Sequence, residues 1–381
     1  MTKADKEGQR KAPILRFKGF TDDWEQRKLL KVCKKEDNKR IPIKEHERKE
    51  GNTPYFGANG IQGYIDGYTH DGTNILIAED GANNVRNYPI KLITGKIWVN
   101  NHAHVLKVNT KTNNGNFLVG AIKKINFYRY LVGSSRYKLT AESLNQVKIK
   151  IAKQSEQEKI GELLKNIEEL LTLYERKTKL IKQIQSSFLD KFFFEPNNVT
   201  SLNHFLRIRN GYAFKSSKLT ENGEIPVVRI SNIGNDKSFA FTTKEKNKEQ
   251  FALYPNDIVI ALSGATAGKI NQVSNKYPLY YQNQRVGFFE RKNDKLDYEY
   301  LNSFLHSKKF KSQLQKTLVA GAQPNIAPKD IEKIKIPFIG YKLQQKIGQV
   351  NKYLFELQRI NKSKFTLLDK IKKTLLNNMF V

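Results

Sequence analysis

Two stretches decide the fold: QEKIGELLKNIEELL, Gln157–Leu171, and QQKIGQVNKYLFELQ, Gln344–Gln358. They lie 344 − 157 = 187 residues apart, and the same offset matches Gly161 with Gly348, Lys177 with Lys364, Ile184 with Ile371 and Phe193 with Phe380. Upstream, LNQVKIKIA (Leu144–Ala152) falls over IEKIKIPFI (Ile331–Ile339), still without a gap. One constant offset over about 50 residues marks an internal duplication, which sets the organisation of the whole chain.

The repeated segments read as long helices. In the first, Ile160, Leu164, Ile167, Leu171, Tyr174, Thr178, Ile181, Gln185, Phe188 and Phe192 alternate at spacings of four and three, with neither Pro nor Gly after Gly161. That is a coiled-coil seam rather than a broad amphipathic face. The second helix is less regular: Ile347, Leu354, Leu357, Leu368, Ile371 and Leu375 are apolar, but Asn351, Gln358 and Asn361 interrupt the equivalent register. Each stripe is too long for one small domain to cover, so the two helices are expected to pack on each other.

Between the helices lie runs such as TNILIAEDGANN, KIWVNNHAHVLKV, EIPVVRISNIGN and YYQNQRVGFFE. Their β-branched and aromatic residues, broken by Gly, Asn, Asp and Pro, read as short strands and hairpins, with a helical patch at Tyr300–Thr317. The fold class is therefore α+β, with globular units alternating with long helices. The expected division is a flexible segment 1–20, a first unit 21–152, a helix 153–195, a second unit 196–338 and a helix 339–381. Pro196 and its Asn neighbours read as the stop of the first helix.

The chain has 381 residues and 67 Lys+Arg against 37 Asp+Glu, a formal charge of +30. Such an excess points to a polyanionic partner, nucleic acid first, because each neutralised phosphate releases condensed counterion. The single cysteine, Cys33, excludes an intramolecular disulfide and a Cys-based zinc site. MTKADKEGQRKA lacks the apolar core of a signal peptide, and no segment approaches the roughly 18 apolar residues of a membrane span, so a cytoplasmic protein without a membrane partner is expected.

DIVIALSGATAGKI (Asp257–Ile270) imitates a phosphate-binding loop. It fails the pattern: three residues, not four, separate Gly264 from Gly268, Ile270 replaces the metal-binding hydroxyl, and the residues that follow read as strand, turn, strand. In the first half NILIAEDGANNVR matches it at 264 − 81 = 183, placing Gly81 under Gly264 and Arg86 under Lys269. Later in each half come NNHAH (Asn100–His104) and QNQR (Gln282–Arg285). Arg, Asn, Gln and His are the residues that grip phosphates and read base edges. The candidate DNA contacts are Arg86, Asn101, His102, Arg229, Lys269, Gln284 and Arg285. No catalytic residue and no metal site is assigned. His102 and His104 lack a third ligand of matching spacing, and Glu79–Asp80 reads as a turn cap.

On NGYAFKSSKLTENGEIPVVRISNIGN, LYPNDIVIALSGATAGK, YQNQRVGFF and GAQPNIAPKDIEKIKIPFIGYKLQQKIG, with PYFGANGIQGYID, NILIAEDGAN, NNHAHVLK and SEQEKIGELL in the first half, the chain resembles the DNA-specificity subunits of type I restriction-modification systems. The resemblance covers nearly everything after Phe20. It departs at Lys150, where Pro337 stands in the other half, at Gln345 opposite Glu158, and in lacking a first-half counterpart of Gly321–Gln323. It implies two target-recognition domains, each reading half of a split, asymmetric double-stranded DNA site. The long helices would pair as an antiparallel coiled coil that sets the spacer, with pseudo-twofold symmetry. Two methyltransferase subunits and restriction translocase-nuclease subunits would be partners, holding the S-adenosylmethionine, ATP and Mg²⁺ that this chain does not bind. The competing readings are a self-contained nucleotide-hydrolysing or DNA-cleaving enzyme using Gly264–Lys269, and a basic assembly protein without sequence preference. Incubated alone with Mg-ATP and DNA, the chain is expected to give no turnover; robust hydrolysis abolished by Lys269→Ala would select the enzyme.

Overall fold

The computed structural model describes residues 11–381 except 86, 135–136, 195–197, 235–237, 243–245 and 318–324. The chain forms two compact units, one of residues up to Glu175 together with Ser363–Val381, the other Arg176–Lys362. Both boundaries fall inside the long helices, so each helix belongs partly to each unit.

In the first unit the elements run β1 (Glu25–Lys28), α1 (Leu29–Val32), β2 (Cys33–Lys35), β3 (Thr53–Gly57), β4 (Gly60–Ile65), β5 (Thr73–Ala78), β6 (Ile90–Thr94), β7 (Trp98–Val99), β8 (Ala103–Val108), α2 (Gly115–Lys123), α3 (Ala141–Gln146), β9 (Lys148–Ile151) and the start of α4 (Gln154–Phe193). Strands β2-β8-β5-β6 form an antiparallel sheet; β4-β3-β7 form a second, with β3 parallel to β7; β1 pairs with β9. The apolar run of β5 is covered along nearly its whole length, as a central strand requires.

The second unit continues with β10 (Val199–Ser201), β11 (Leu206–Asn210), β12 (Ile225–Val228), β13 (Ala240–Thr242), β14 (Ala252–Leu253), β15 (Ile258–Ala261), β16 (Ile270–Gln272), β17 (Tyr280–Gln282), β18 (Val286–Arg291), α5 (Tyr298–His306), α6 (Lys308–Thr317), α7 (Pro328–Glu332), β19 (Lys335–Pro337) and α8 (Tyr341–Asn378). Its sheets are β11-β18-β15-β16, β13-β12-β17-β14 and β10-β19. The duplication therefore extends to topology: β5 and β8 correspond to β15 and β18, and the parallel pair β3–β7 corresponds to β12–β17.

The shared QxKIG sequence has a shared task. Asn114 caps α2, accepting from the amides of Asn116 and Phe117, while its own amide donates to Gln157 Oε1 at 3.2 Å. Asp297 caps α5, accepting from the Tyr300 amide, and its own amide donates to Gln344 Oε1 at 2.9 Å. Each glutamine also donates to the carbonyl that precedes its helix, Ala152 or Ile339. Gly161 and Gly348 let the long helix approach: a Cβ at Gly161 would lie 2.0 Å from Asn114 Oδ1, and one at Gly348 would lie 2.7 Å from the Tyr300 amide nitrogen.

The far ends match as well. Phe380, just beyond α8, packs in the first unit with its ring 5.3 Å from Phe117, and Phe193 at the end of α4 packs in the second with its ring 5.3 Å from Tyr300. Each long helix thus begins seated in one unit and ends with a buried phenylalanine in the other.

The register read from the first helix is shielded from solvent on both. On α4, Ile160, Leu164, Ile167, Leu171 and Ile181 are buried; on α8, Ile347 is buried and Leu354 and Leu368 are half-buried. Leu357 and Ile371, expected in the seam for their apolar character, are exposed instead. The seam positions beside them are the polar ones. In the second unit Gln185 Nε2 donates to Asn351 Oδ1 (2.8 Å), Gln358 Nε2 to Gln185 Oε1 (2.7 Å) and Asn361 Nδ2 to Thr178 Oγ1 (2.6 Å). Within this unit the contacts run in opposite order along the two helices. In the first unit Lys372 of α8 pairs with Glu168 of α4.

Part of the segment expected to be flexible, 1–20, is held in place. The Leu15 amide donates to the Asn378 carbonyl, and Arg16 makes a bidentate pair with Glu156, which also accepts from Trp24 Nε1. Residues 1–10, Pro196 and Gly321–Gln323 lie outside the described residues. No helix among the described residues is long and apolar enough to cross a membrane.

Because the obstacle at Gly348 is backbone and that at Gly161 is a side chain, the two alanine substitutions should differ. Gly348→Ala is expected to cost about 2–3 kcal/mol through overpacking, with faster amide exchange at Tyr300–Phe304. Gly161→Ala should cost no more than about 1 kcal/mol, because a displaced cap is partly offset by helix propensity.

Candidate nucleic-acid interface

In each unit three chain segments meet at the end of the strand pair β5–β8 or β15–β18. The residue that closes the strand, Glu79 or Leu262, donates its amide to the carbonyl of His102 (2.9 Å) or Arg285 (3.0 Å). Its carbonyl accepts from the amide of Leu139 or Ile326. The next residue, Asp80 or Ser263, bridges to Lys138 or Asn325. The turn is fixed from below by Asn100 N donating to Phe56 O and by Asn283 N donating to Val228 O, both at 3.0 Å. The backbone frame is therefore the same in both units, and the side chains it carries are not.

In the second unit the frame gathers Arg229, Lys269, Gln284 and Arg285. Thr266 Oγ1 donates to the Ile230 carbonyl, tying the glycine loop to the segment that begins at Arg229. The Lys269 stem crosses Gly234, where a Cβ would come within 2.8 Å of it. Gln284 is exposed, its amide donating to Tyr212 O, and the exposed Arg285 reaches Ser263 Oγ through Nη1 at 3.4 Å. In the first unit Asn101 and His102 share one turn, Asn101 exposed and His102 held by Asp80. Arg86 lies outside the described residues.

The glycine loop spends its own donors. Gly268 N donates to Ala261 O, Ala267 N to Gly264 O and Lys269 N to Thr266 O. Three of the amides that a phosphate cradle would present are thus already used within the loop and the β15–β16 hairpin. Gly264 has φ +76° and Gly81 has φ +63°, a left-handed conformation that favours glycine and accounts for the residue recurring in both halves.

Glu79 is ion-paired and Asp80 holds His102, so neither serves merely as a turn cap. Arg40 Nη1 donates to Glu79 Oε2 (2.6 Å) and to the Ala103 carbonyl (2.9 Å), and Lys138 Nζ lies 3.0 Å from Glu79 Oε1. Buried His104 contacts Asp37 Oδ2 through Nδ1 (2.7 Å) and the Leu139 carbonyl through Nε2 (2.7 Å). His102 and His104 thus face different carboxylates and do not converge. Burial alone would raise both carboxyls. Hydrogen bonds from His104 and the Val105 amide to Asp37, and from Arg40 and Lys138 to Glu79, outweigh it and hold both below their ordinary range. Sequence reading missed Arg40, Lys138 and Asn325. The offset of 187 extended upstream from Leu144 pairs Lys138 with Asn325 and would have flagged those two.

Comparison with known proteins agrees with this duplicated frame. Residues 21–183 and 195–373 each match the model of the type I restriction modification DNA specificity domain. A protein of Haemophilus influenzae named as a type I restriction enzyme specificity subunit is 30% identical over 302 residues, 76% of this chain and 77% of that one. The MjaVIII specificity subunit of Methanocaldococcus jannaschii is 24% identical over 398 residues, 93% of this chain and 92% of that one. The crystal structure of a type I restriction-modification S subunit from M. genitalium superposes with a TM-score of 0.77 at 17% identity, covering 97% of this chain and 99% of that chain; it shares the fold.

Since Asp37 and Glu79 have depressed values in the folded chain, their network stabilises the first unit above the ordinary carboxylate range and is lost as pH falls through it. Both tryptophans, Trp24 and Trp98, lie in this unit, so their fluorescence in urea follows it alone. The unfolding midpoint should fall below about pH 4. Arg40→Ala should cost about 3 kcal/mol near neutral pH, because it strands partly buried carboxylates, and should flatten the acid dependence.

Proposed function

The chain belongs to the DNA-specificity family of type I restriction-modification systems, and on that premise we propose that it reads a split, asymmetric duplex site, one half per unit, with the long helices fixing the spacer. The observation that carries this reading is the backbone frame that recurs in both units with different side chains upon it, Asn101 and His102 in one, Gln284 and Arg285 in the other. A shared frame presents residues to a groove in the same way, and different residues read different bases. The charge of +30 supplies the phosphate attraction that any sequence reader needs.

The helices act as an antiparallel coiled coil, with the duplication giving the chain a pseudo-twofold axis. A helix of 40 residues spans about 60 Å, the scale on which half-sites one or two duplex turns apart are held. The same helices dock the partners. Outside the shielded register, α4 exposes Leu170, Leu173, Leu180 and Ile184, and α8 exposes Leu357, Ile360, Leu367 and Ile371. These are the same four positions at the repeat offset of 187. Exposed apolar residues at helical spacing are a surface for a partner helix, and two equivalent stripes suit two copies of one partner, the methyltransferase subunit. Restriction subunits join that assembly, and S-adenosylmethionine, ATP and Mg²⁺ are bound by the partners.

Inserting one heptad at paired positions of α4 and α8 lengthens the ruler by about 10 Å, or about three base pairs at 3.4 Å each. Mapping methylated adenines in DNA from cells carrying the variant and its methyltransferase should show a spacer longer by about that amount and unchanged half-sites. An unchanged spacer would sink the ruler, and a continuous site governed by one unit would sink the two-reader proposal.

A further inference from the structure

Positions 80 and 102 correspond to 263 and 285 at the offset of 183. The side chains at these positions touch in both units. Asp80 Oδ1 holds His102 Nδ1 at 2.6 Å, and Ser263 Oγ receives Arg285 Nη1 at 3.4 Å. The inner residue of each pair is well covered and the outer one accessible: Asp80 is 19% exposed under His102 at 41%, and Ser263 is 5% exposed under an exposed Arg285. Each unit therefore presents one side chain at the same point of the frame, oriented by the residue beneath it.

The inner residues fix hydrogen-bond polarity. An ionised carboxylate only accepts, so the proton at the Asp80 contact sits on His102 Nδ1. In the neutral ring Nε2 then carries a lone pair and accepts, and it has no partner among the described residues. Arg285 is the reverse case. Its guanidinium only donates, no carboxylate pairs with it among the described residues, and the long contact to Ser263 engages one of five N–H groups.

We infer that His102 and Arg285 are equivalent base readers of opposite polarity: His102 accepts from an amino-bearing base edge, adenine N6 or cytosine N4, and Arg285 donates to guanine O6 and N7. The inference rests on each unit reading one half-site. It adds which residue occupies the equivalent reading point and which class of base edge each takes. In the major groove those edges are distinguishable by donor and acceptor pattern alone.

The test exchanges the pairs. Full chain, co-purified with its methyltransferase subunit, is used to select duplexes from a random pool at about pH 8, above the ordinary imidazole range. Wild type should enrich a split site with adenine or cytosine at one position of the first half and guanine at the equivalent position of the second. Asp80→Ser with His102→Arg should convert that single first-half position to guanine, by about tenfold or more in enrichment, with the second half-site unchanged as the internal control. Ser263→Asp with Arg285→His should make the reciprocal change in the second half. His102→Ala should relax the one position and leave its neighbours.

A first-half position that keeps its preference in the exchange variant and in His102→Ala overturns the inference. So does an equal loss for all sequences, which would make His102 a phosphate contact. A wild type that enriches no split site overturns the two-reader proposal itself, and the inference with it.

Discussion

Each long helix is anchored in its first two turns by a glutamine that bonds the cap of a neighbouring short helix and a glycine that lets the two backbones close. Gln157 and Gly161 do this on Asn114; Gln344 and Gly348 do it on Asp297. The capped helices α2 and α5 pack in the same clusters as the central strands β5 and β15. The direction in which a long helix leaves its unit is therefore set by the core that also holds the candidate reading frame. A side chain larger than hydrogen at Gly348 would meet the backbone of α5 and push the helix off that core, and every distance measured along the helix would inherit the error.

The seam between the long helices is unequal in character. Ile160 and Leu164 share the first unit's core with Met379 and Phe380, whereas the second unit's seam carries Thr178, Gln185, Asn351, Gln358 and Asn361. Buried amides contribute little net stability even when bonded, and an unmade bond such as that of Asn351 Nδ2 costs about 1–3 kcal/mol. What they supply is discrimination. A one-turn slip would leave several amides unpaired at once, whereas an all-leucine seam would tolerate it. For helices that set a distance, a fixed register is worth more than a stronger grip.

Much of this was legible in the sequence because duplication writes each signal twice. The constant offset revealed the long helices, and the four-three spacing from Ile160 gave the register that the structure shields. The failed spacing of Gly264–Lys269 separated a hairpin from a phosphate cradle. Leu357 and Ile371 misled because α8 carries two apolar stripes of the same period, and period alone does not say which one faces inward. Arg16 with Glu156, and Arg40 with Glu79, are joined across 140 and 39 residues respectively. No local pattern encodes such pairs. They arise from where the folded backbone brings charges together, and they are why Glu79 and Asp80 looked like turn residues.

The bond from Leu15 to the Asn378 carbonyl brings the two ends of the described chain side by side. The first unit is therefore assembled from both extremes of the described chain, whereas the second is one continuous stretch, Arg176–Lys362. During synthesis the whole of that stretch precedes Ser363–Val381, on which the first unit depends. Of the two units, the one that starts first is thus the one completed last.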